Sequence, residues 1–178
     1  MALARAARDQ FLLDKVLIIP TRIPPHKSDR MDLTPEIHRA RMIELAIDND
    51  PGLALSRLEL NRPGPSYTID TLRSLTEIFP QAELFLIVGE DAFRDIDSWR
   101  EAAEIRSLVK FIVAERPGFT ADTTETGSVL RLQTEALDIA SSDIRSRIES
   151  GEALRSGMVP ERVEQYIQKM KLYRKYGV

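Results

Sequence analysis

The stretch Gly64-Pro65-Ser66-Tyr67-Thr68-Ile69-Asp70-Thr71-Leu72 joins an apolar run on one side to a helical pattern on the other, and its reading decides the fold. Its glycine and proline hinges deliver a hydroxyl pair and an aromatic ring to the start of a helix expected from about Ser66 to Phe79. In that helix Ile69, Leu72, Leu75 and Phe79 recur at helical spacing. Working outward, Ala54 to Leu60 reads as the preceding strand, and Glu83 to Val88 as the following one, ending at Gly89. A strand, loop, helix, strand rhythm is that of a parallel sheet with crossover helices.

The rhythm continues in both directions. Ala2 to Leu13 reads as an alanine-rich helix, and Val16 to Pro20 is a continuous apolar run typical of a strand buried on both faces. Thr34 is expected to cap, and Pro35 to open, a helix whose Ile37, Ala40, Ile43 and Ile47 form the buried stripe, with Pro51-Gly52 ending it. Ser98 and Glu101 fit a capping box before a helix to about Leu108. Lys110 to Ala114 reads as a fourth strand, stopped by Arg116-Pro117-Gly118, and Phe119 to Ser128 as a surface loop. Leu137 to Ile139 reads as a last short strand. Ser141 or Ser142 can then cap a helix carrying Ile144 and Ile148, with Gly151 at its C-cap, and a final helix is expected from Pro160 to about Leu172. The expectation is one α/β domain over residues 1–178, a doubly wound parallel sheet with a helical C-terminal end. Ligands in such sheets bind beyond the carboxyl ends of the strands.

Composition bounds the chemistry. The 178 residues are 43% hydrophobic, enough for one good core, and 25 basic against 28 acidic side chains leave a net charge of −3. Nothing in that balance suggests a nucleic-acid footprint or a polybasic membrane patch, so any anion site must be local. The absence of cysteine excludes a thiol nucleophile, a disulfide and a thiolate zinc site, and the default compartment is the cytoplasm. The first residues have no long apolar run, and no later segment approaches the ~20 apolar residues that span a bilayer. His26 and His38 have no acidic cluster at metal-ligand spacing, so no protein-bound metal is expected, and His38 reads as a structural or surface residue.

Four segments fall just past expected strand ends: Pro20 to Lys27, Asn61 to Thr68, Gly89 to Asp91, and the Ser141-Ser142 turn. Singly, each also fits an ordinary turn; together they would converge on one crevice. Ser141 and Ser142 place hydroxyls and free N–H groups at a helix start, where the dipole favours phosphate, and Arg145 follows one turn later. Lys27, behind the rigid Pro24-Pro25 pair, can meet phosphate as a point charge. Gly89 permits close approach and Asp91 can accept hydroxyls, while Trp99, the single tryptophan, can pack in the core or stack on a ring.

With Pro24-Pro25-His26-Lys27 ahead of the opening stretch, and Ile87-Val88-Gly89-Glu90-Asp91 and Ala140-Ser141-Ser142-Asp143-Ile144-Arg145 behind it, the chain resembles the bacterial nicotinate-nucleotide adenylyltransferases. Residues 139–145 are similar to that family's ISSTxIR signature, with Ala140 and Asp143 as departures. The resemblance implies a Rossmann-like nucleotidyltransferase that moves adenylyl from ATP, arriving with Mg²⁺, to nicotinate mononucleotide, releasing pyrophosphate in NAD biosynthesis. It assigns Arg145 and Lys27 as catalytic cations. Gly89, Asp91, Ser141, Ser142 and Arg145 fall to ATP, and Tyr67, Thr68, Trp99 and Arg116 to the nicotinate nucleotide. Partners are then the two nucleotides, with no nucleic acid or membrane, and a homo-oligomer remains open. The family's opening strand and HxGH phosphate loop would precede Ala2, and neither His26 nor His38 matches that loop. The expectation is therefore a shortened form of an active enzyme, lacking the first strand and, as given, unstable or nearly inactive. The alternatives are a non-catalytic nucleotide-binding module that has lost the phosphate loop, and a sister adenylyltransferase acting on another phosphorylated acceptor such as phosphopantetheine.

Overall fold

Parallel pairing organises the molecule. The computed structural model describes residues 1–25, 34–48, 50–114, 128–132 and 140–174. In chain order, helix α1 (Ala2–Phe11) precedes strand β1 (Val16–Ile18), helix α2 (Glu36–Ile47), strand β2 (Leu53–Leu55), the one-turn helix α3 (Leu58–Asn61) and helix α4 (Thr68–Ile78). Strand β3 (Phe85–Gly89) leads directly into the short helix α5 (Glu90–Arg94). A 3-10 turn at Ile96–Ser98, helix α6 (Ala102–Leu108) and strands β4 (Lys110–Ala114) and β5 (Val129–Leu132) follow, then helices α7 (Ser141–Ser150) and α8 (Glu161–Lys169).

β1 pairs with β2, Val16 opposite Leu53, and β3, β4 and β5 form a second parallel sheet with β4 in the middle. The central strand is apolar after Lys110: Phe111, Ile112 and Val113 are all buried, as a strand covered on both faces requires. Alanine spacing in α1 lets that helix lie close to both sheets, Ala4 packing with Val16 and Leu53, and Ala7 with Ile112 and Leu132. Ile87 of β3 touches both of these clusters. The expected α/β class with a parallel sheet is therefore realised as two ladders. Among the described residues no backbone ladder joins β1 to β3, and apolar packing beneath α1 bridges them instead.

Asp50 ties α1 to the turn before β2. It accepts from Arg5 Nε at 2.8 Å, from Arg8 Nη1 at 2.5 Å and from the Gly52 amide at 3.0 Å. The Arg5 contact, assisted by the Gly52 amide and Arg8, holds the Asp50 carboxyl below the usual carboxylate range. At the far end α8 packs on α2, where the Tyr166 hydroxyl lies 2.8 Å from His38 Nδ1 and Arg162 pairs with Asp48. His38 is thus structural, with a partner 128 residues away that local sequence could not reveal.

Several expected elements are corrected. Ala54 to Leu60 is not one strand: β2 stops at Leu55 and α3 then coils Glu59 inward beside Leu60, because the Glu59 carboxylate finds a hydroxyl partner in Thr71. Thr34 does not cap α2. Its carbonyl instead accepts from Arg39 Nε at 2.9 Å, and Pro35 takes the cap position. No capping box forms at Ser98 and Glu101: the Ser98 hydroxyl donates to the Asp95 carbonyl, while Glu101, at φ 57°, turns its carboxylate to Arg73. Ile37 and Phe79 lie on exposed sides of their helices rather than in the stripes. Gly151 does end α7, at φ 76°, but the cap residue at its start is Ala140 with no side-chain cap, so neither serine caps it. β5 is an addition to the expected strands, and the strand expected at Leu137 to Ile139 lies outside the described residues.

Candidate functional site

The candidate turn at Tyr67 is built on core packing. α4 buries Ile69, Leu72 and Leu75, and Ile69 and Leu72 join Val88, Phe93, Ile96, Ile105, Val109, Phe111 and Val113 in the main cluster. Tyr67, at the cap position of α4, and Trp99, directly after the 3-10 turn, are both half-buried against that cluster. Two rings separated by 32 positions in sequence therefore share one apolar floor close to Gly89, the residue after Val88. No side chain caps α4, so the amides of its first turn remain as donors beside the Tyr67 ring.

The loops after β1 and β2 are joined at this turn. The Ser66 amide donates to the Ile23 carbonyl at 2.9 Å, and the Arg22 amide donates to Ser66 Oγ at 3.0 Å. Arg22 Nη1 donates to the Arg62 carbonyl at 3.1 Å. Inside, Arg62 Nη2 donates to Thr71 Oγ1 at 3.0 Å and reaches the Tyr67 carbonyl at 3.4 Å, while Thr71 Oγ1 donates to Glu59 Oε1 at 2.8 Å. Gly64, at φ 83°, supplies the left-handed bend that returns the chain from α3 to α4.

From the α6 side, Arg73 of α4 reaches Glu101 and Glu104, which fixes the segment following Trp99 and holds the Glu104 carboxyl below its usual range. The Arg100 guanidinium stands 4.6 Å from the centroid of the Tyr67 ring. Gly89 is exposed at the carboxyl end of β3, and Asp91 is exposed on the first turn of α5. The neighbouring Glu90 is turned inward and accepts from Arg131 Nη1 at 2.8 Å, linking this strand end to β5.

The phosphate-side candidates differ. Ser141, Ser142 and Arg145 lie on the first turns of α7, all exposed, and α7 buries no residue. Tyr67, Thr68, Trp99, Gly89 and Asp91 thus belong to the end of the molecule where β2 and β3 hand over to helices, and Tyr67 and Trp99 share a cluster. The described residues of α7 contribute nothing to that cluster. Lys27 and Arg116 lie outside the described residues, as do His26 and the loop segment from Phe119 to Gly127. Among the described residues no group of three or more acidic or histidine side chains could hold a metal ion, and no helix is long and apolar enough to cross a membrane.

Sequence reasoning missed Arg100, Glu59, Arg62 and Thr71. Arg100 adjoins Trp99, which is the only signal it gives. The other three are unremarkable polar residues until α3 forms.

Comparisons with known proteins bear on the family and the fold. The cytidylyltransferase-like family pattern matches residues 1–147. A probable nicotinate-nucleotide adenylyltransferase of Desulfitobacterium hafniense is 43% identical, over 96% of this chain and 86% of the relative. One from Thermus thermophilus is 40% identical, over 96% and 89%. Among solved structures, a Plasmodium falciparum nicotinic acid mononucleotide adenylyltransferase complexed with NaAD superposes with a TM-score of 0.78 at 23% identity, over 96% of this chain and 87% of that one, which supports the fold. With the family pattern matching residues 1–147 and relatives above 40% identical aligned over 96% of its length, the chain belongs to the nicotinate-nucleotide adenylyltransferases within the cytidylyltransferase-like family.

Proposed function

We infer that this chain transfers adenylyl from ATP to nicotinate mononucleotide, forming nicotinate adenine dinucleotide and pyrophosphate. The observation that carries the reading is that Tyr67 and Trp99 both pack on one apolar cluster, Tyr67 at the uncapped start of α4, in a chain about 40% identical to relatives named for this reaction. A phosphate oxygen of the mononucleotide forms the new bond to the α-phosphorus of ATP. The bond from that phosphorus to the oxygen bridging to the β-phosphate breaks, and pyrophosphate leaves with its electron pair. No covalent enzyme intermediate is required, so catalysis rests on alignment and charge stabilisation.

Tyr67 and Trp99 bracket the pyridine ring, and the α4 amides, Thr68 and the Arg100 cation favour a ring carboxylate over an amide. Arg116 extends that side. Gly89 and Asp91 take the ribose side of ATP, and Ser141, Ser142 and Arg145 its phosphates, with Lys27 as a second cation. Mg²⁺ travels with ATP and neutralises phosphate charge. A cytoplasmic location and freedom from nucleic acid fit a metabolic transferase of this kind.

The test is pyrophosphate release by the chain with ATP and Mg²⁺, offered nicotinate mononucleotide, nicotinamide mononucleotide or phosphopantetheine in turn. Turnover highest with nicotinate mononucleotide is expected. Preference for phosphopantetheine would make it a sister enzyme, and folded protein that binds the nucleotide without any turnover would make it a binding module.

A further inference from the structure

Two buried polar atoms stand out next to the acceptor-side turn. Glu59 Oε2 and Arg62 Nη1 are both shielded from solvent and have no hydrogen-bond partner among the described residues. A buried carboxylate oxygen and a buried guanidinium nitrogen left unpaired are costly, and such groups persist where the surrounding structure uses them. Here Thr71 Oγ1 joins the two side chains, accepting from Arg62 Nη2 and donating to Glu59 Oε1, so one hydroxyl carries the connection between a half-buried cation and a buried anion. The same Arg62 nitrogen reaches the Tyr67 carbonyl, and the Thr71 amide closes on that carbonyl at 3.4 Å.

We propose that Thr71 is a positioning residue whose hydroxyl, held between Arg62 and Glu59, fixes the Tyr67 peptide and so sets the affinity of the acceptor-side turn for the pyridine nucleotide without affecting the ATP side. This rests on the adenylyl-transfer reading. Thr71 itself is 5% exposed and faces the interior, so it acts through Tyr67 and not on substrate. Ser66, also buried, ties the same turn to the segment after β1 by accepting from the Arg22 amide.

The experiment measures KM for each substrate, by pyrophosphate release, in Thr71→Val, Thr71→Ser and Ser66→Ala, together with amide hydrogen exchange of each protein without substrate. Thr71→Val keeps the shape and removes the hydroxyl. It should raise KM for nicotinate mononucleotide about tenfold with KM for ATP within about twofold, and Thr71→Ser should restore both. Amides from Tyr67 to Thr71 should exchange faster in Thr71→Val, and those of β3 and β4 should not. If the unpaired charges prevent Thr71→Val from folding, Ser66→Ala, which exposes no buried charge, should give the same selective rise at smaller size. A rise in both KM values together, failure of serine to rescue, or unchanged exchange at the turn overturns the proposal. If wild type releases no pyrophosphate, the adenylyl-transfer reading fails, and exchange at the turn then decides the positioning role by itself.

Discussion

The start of α4 and the start of α7 are both helix N-termini with hydroxyl residues and no side-chain cap, yet they are built in opposite ways. α4 stands on fully buried Ile69 and is held by a polar network reaching Arg22, Glu59, Arg62 and Thr71. α7 buries nothing and presents Ser141, Ser142 and Arg145 to solvent. The difference fits the two ligands. A pyridine ring must be recognised by shape, which needs a rigid apolar floor and fixed donors. A triphosphate is held largely by charge, which an exposed cation and free amides supply without a prebuilt cavity.

The contrast breaks first on stability. Ile69→Ala should cost about 2–5 kcal/mol in urea unfolding, since it opens a cavity under the turn, whereas Ile144→Ala on α7 should cost less than about 1 kcal/mol. Equal costs would mean that α7 is as much a part of the core as α4. Next comes catalysis: Arg145→Ala should lower kcat about 10²–10³-fold while leaving the thermal midpoint unchanged, because the side chain is exposed and the role proposed for it is to meet transition-state charge. A loss of stability of the same proportion would assign Arg145 to the scaffold.

A smaller effect sharpens the comparison from outside both regions. Asp50, bonded to Arg5, Gly52 and Arg8, has its folded pKa depressed, so its contribution is present above the unfolded value of about 3.9 and is lost as pH falls through the lower folded value. The thermal midpoint should therefore drop on acidification below about pH 4, and Asp50→Asn should flatten that drop without altering KM for either substrate. An unchanged acid limb would remove Asp50 from the account.

Where sequence spacing was governed by apolar packing, it was legible. β4 from Lys110 to Ala114, α4 with Ile69, Leu72 and Leu75, and the Gly151 end of α7 follow from periodicity and glycine chemistry. Tyr67 and Trp99, singled out by the family motifs, pack against one cluster, and their role toward the acceptor is the proposal above. What was not legible depended on partners distant in sequence. Leu58-Glu59-Leu60 alternates like a strand, and only the Thr71 hydroxyl twelve positions later makes a buried helical turn of it. Ser98 and Glu101 have the spacing of a capping box, but Arg73 on another helix takes the carboxylate. β5 is short and carries Arg131 among its apolar residues, a charge that makes sense only once Glu90 is placed opposite it.

Trp99 is the only tryptophan, so its fluorescence reports this one place. Titrating nicotinate mononucleotide into the chain without ATP tests most directly whether the acceptor side is preformed. The account predicts saturable quenching of Trp99 that Arg145→Ala leaves unchanged. Emission that responds only after ATP is added, or nucleotide binding that leaves Trp99 untouched while pyrophosphate is released, would contradict it.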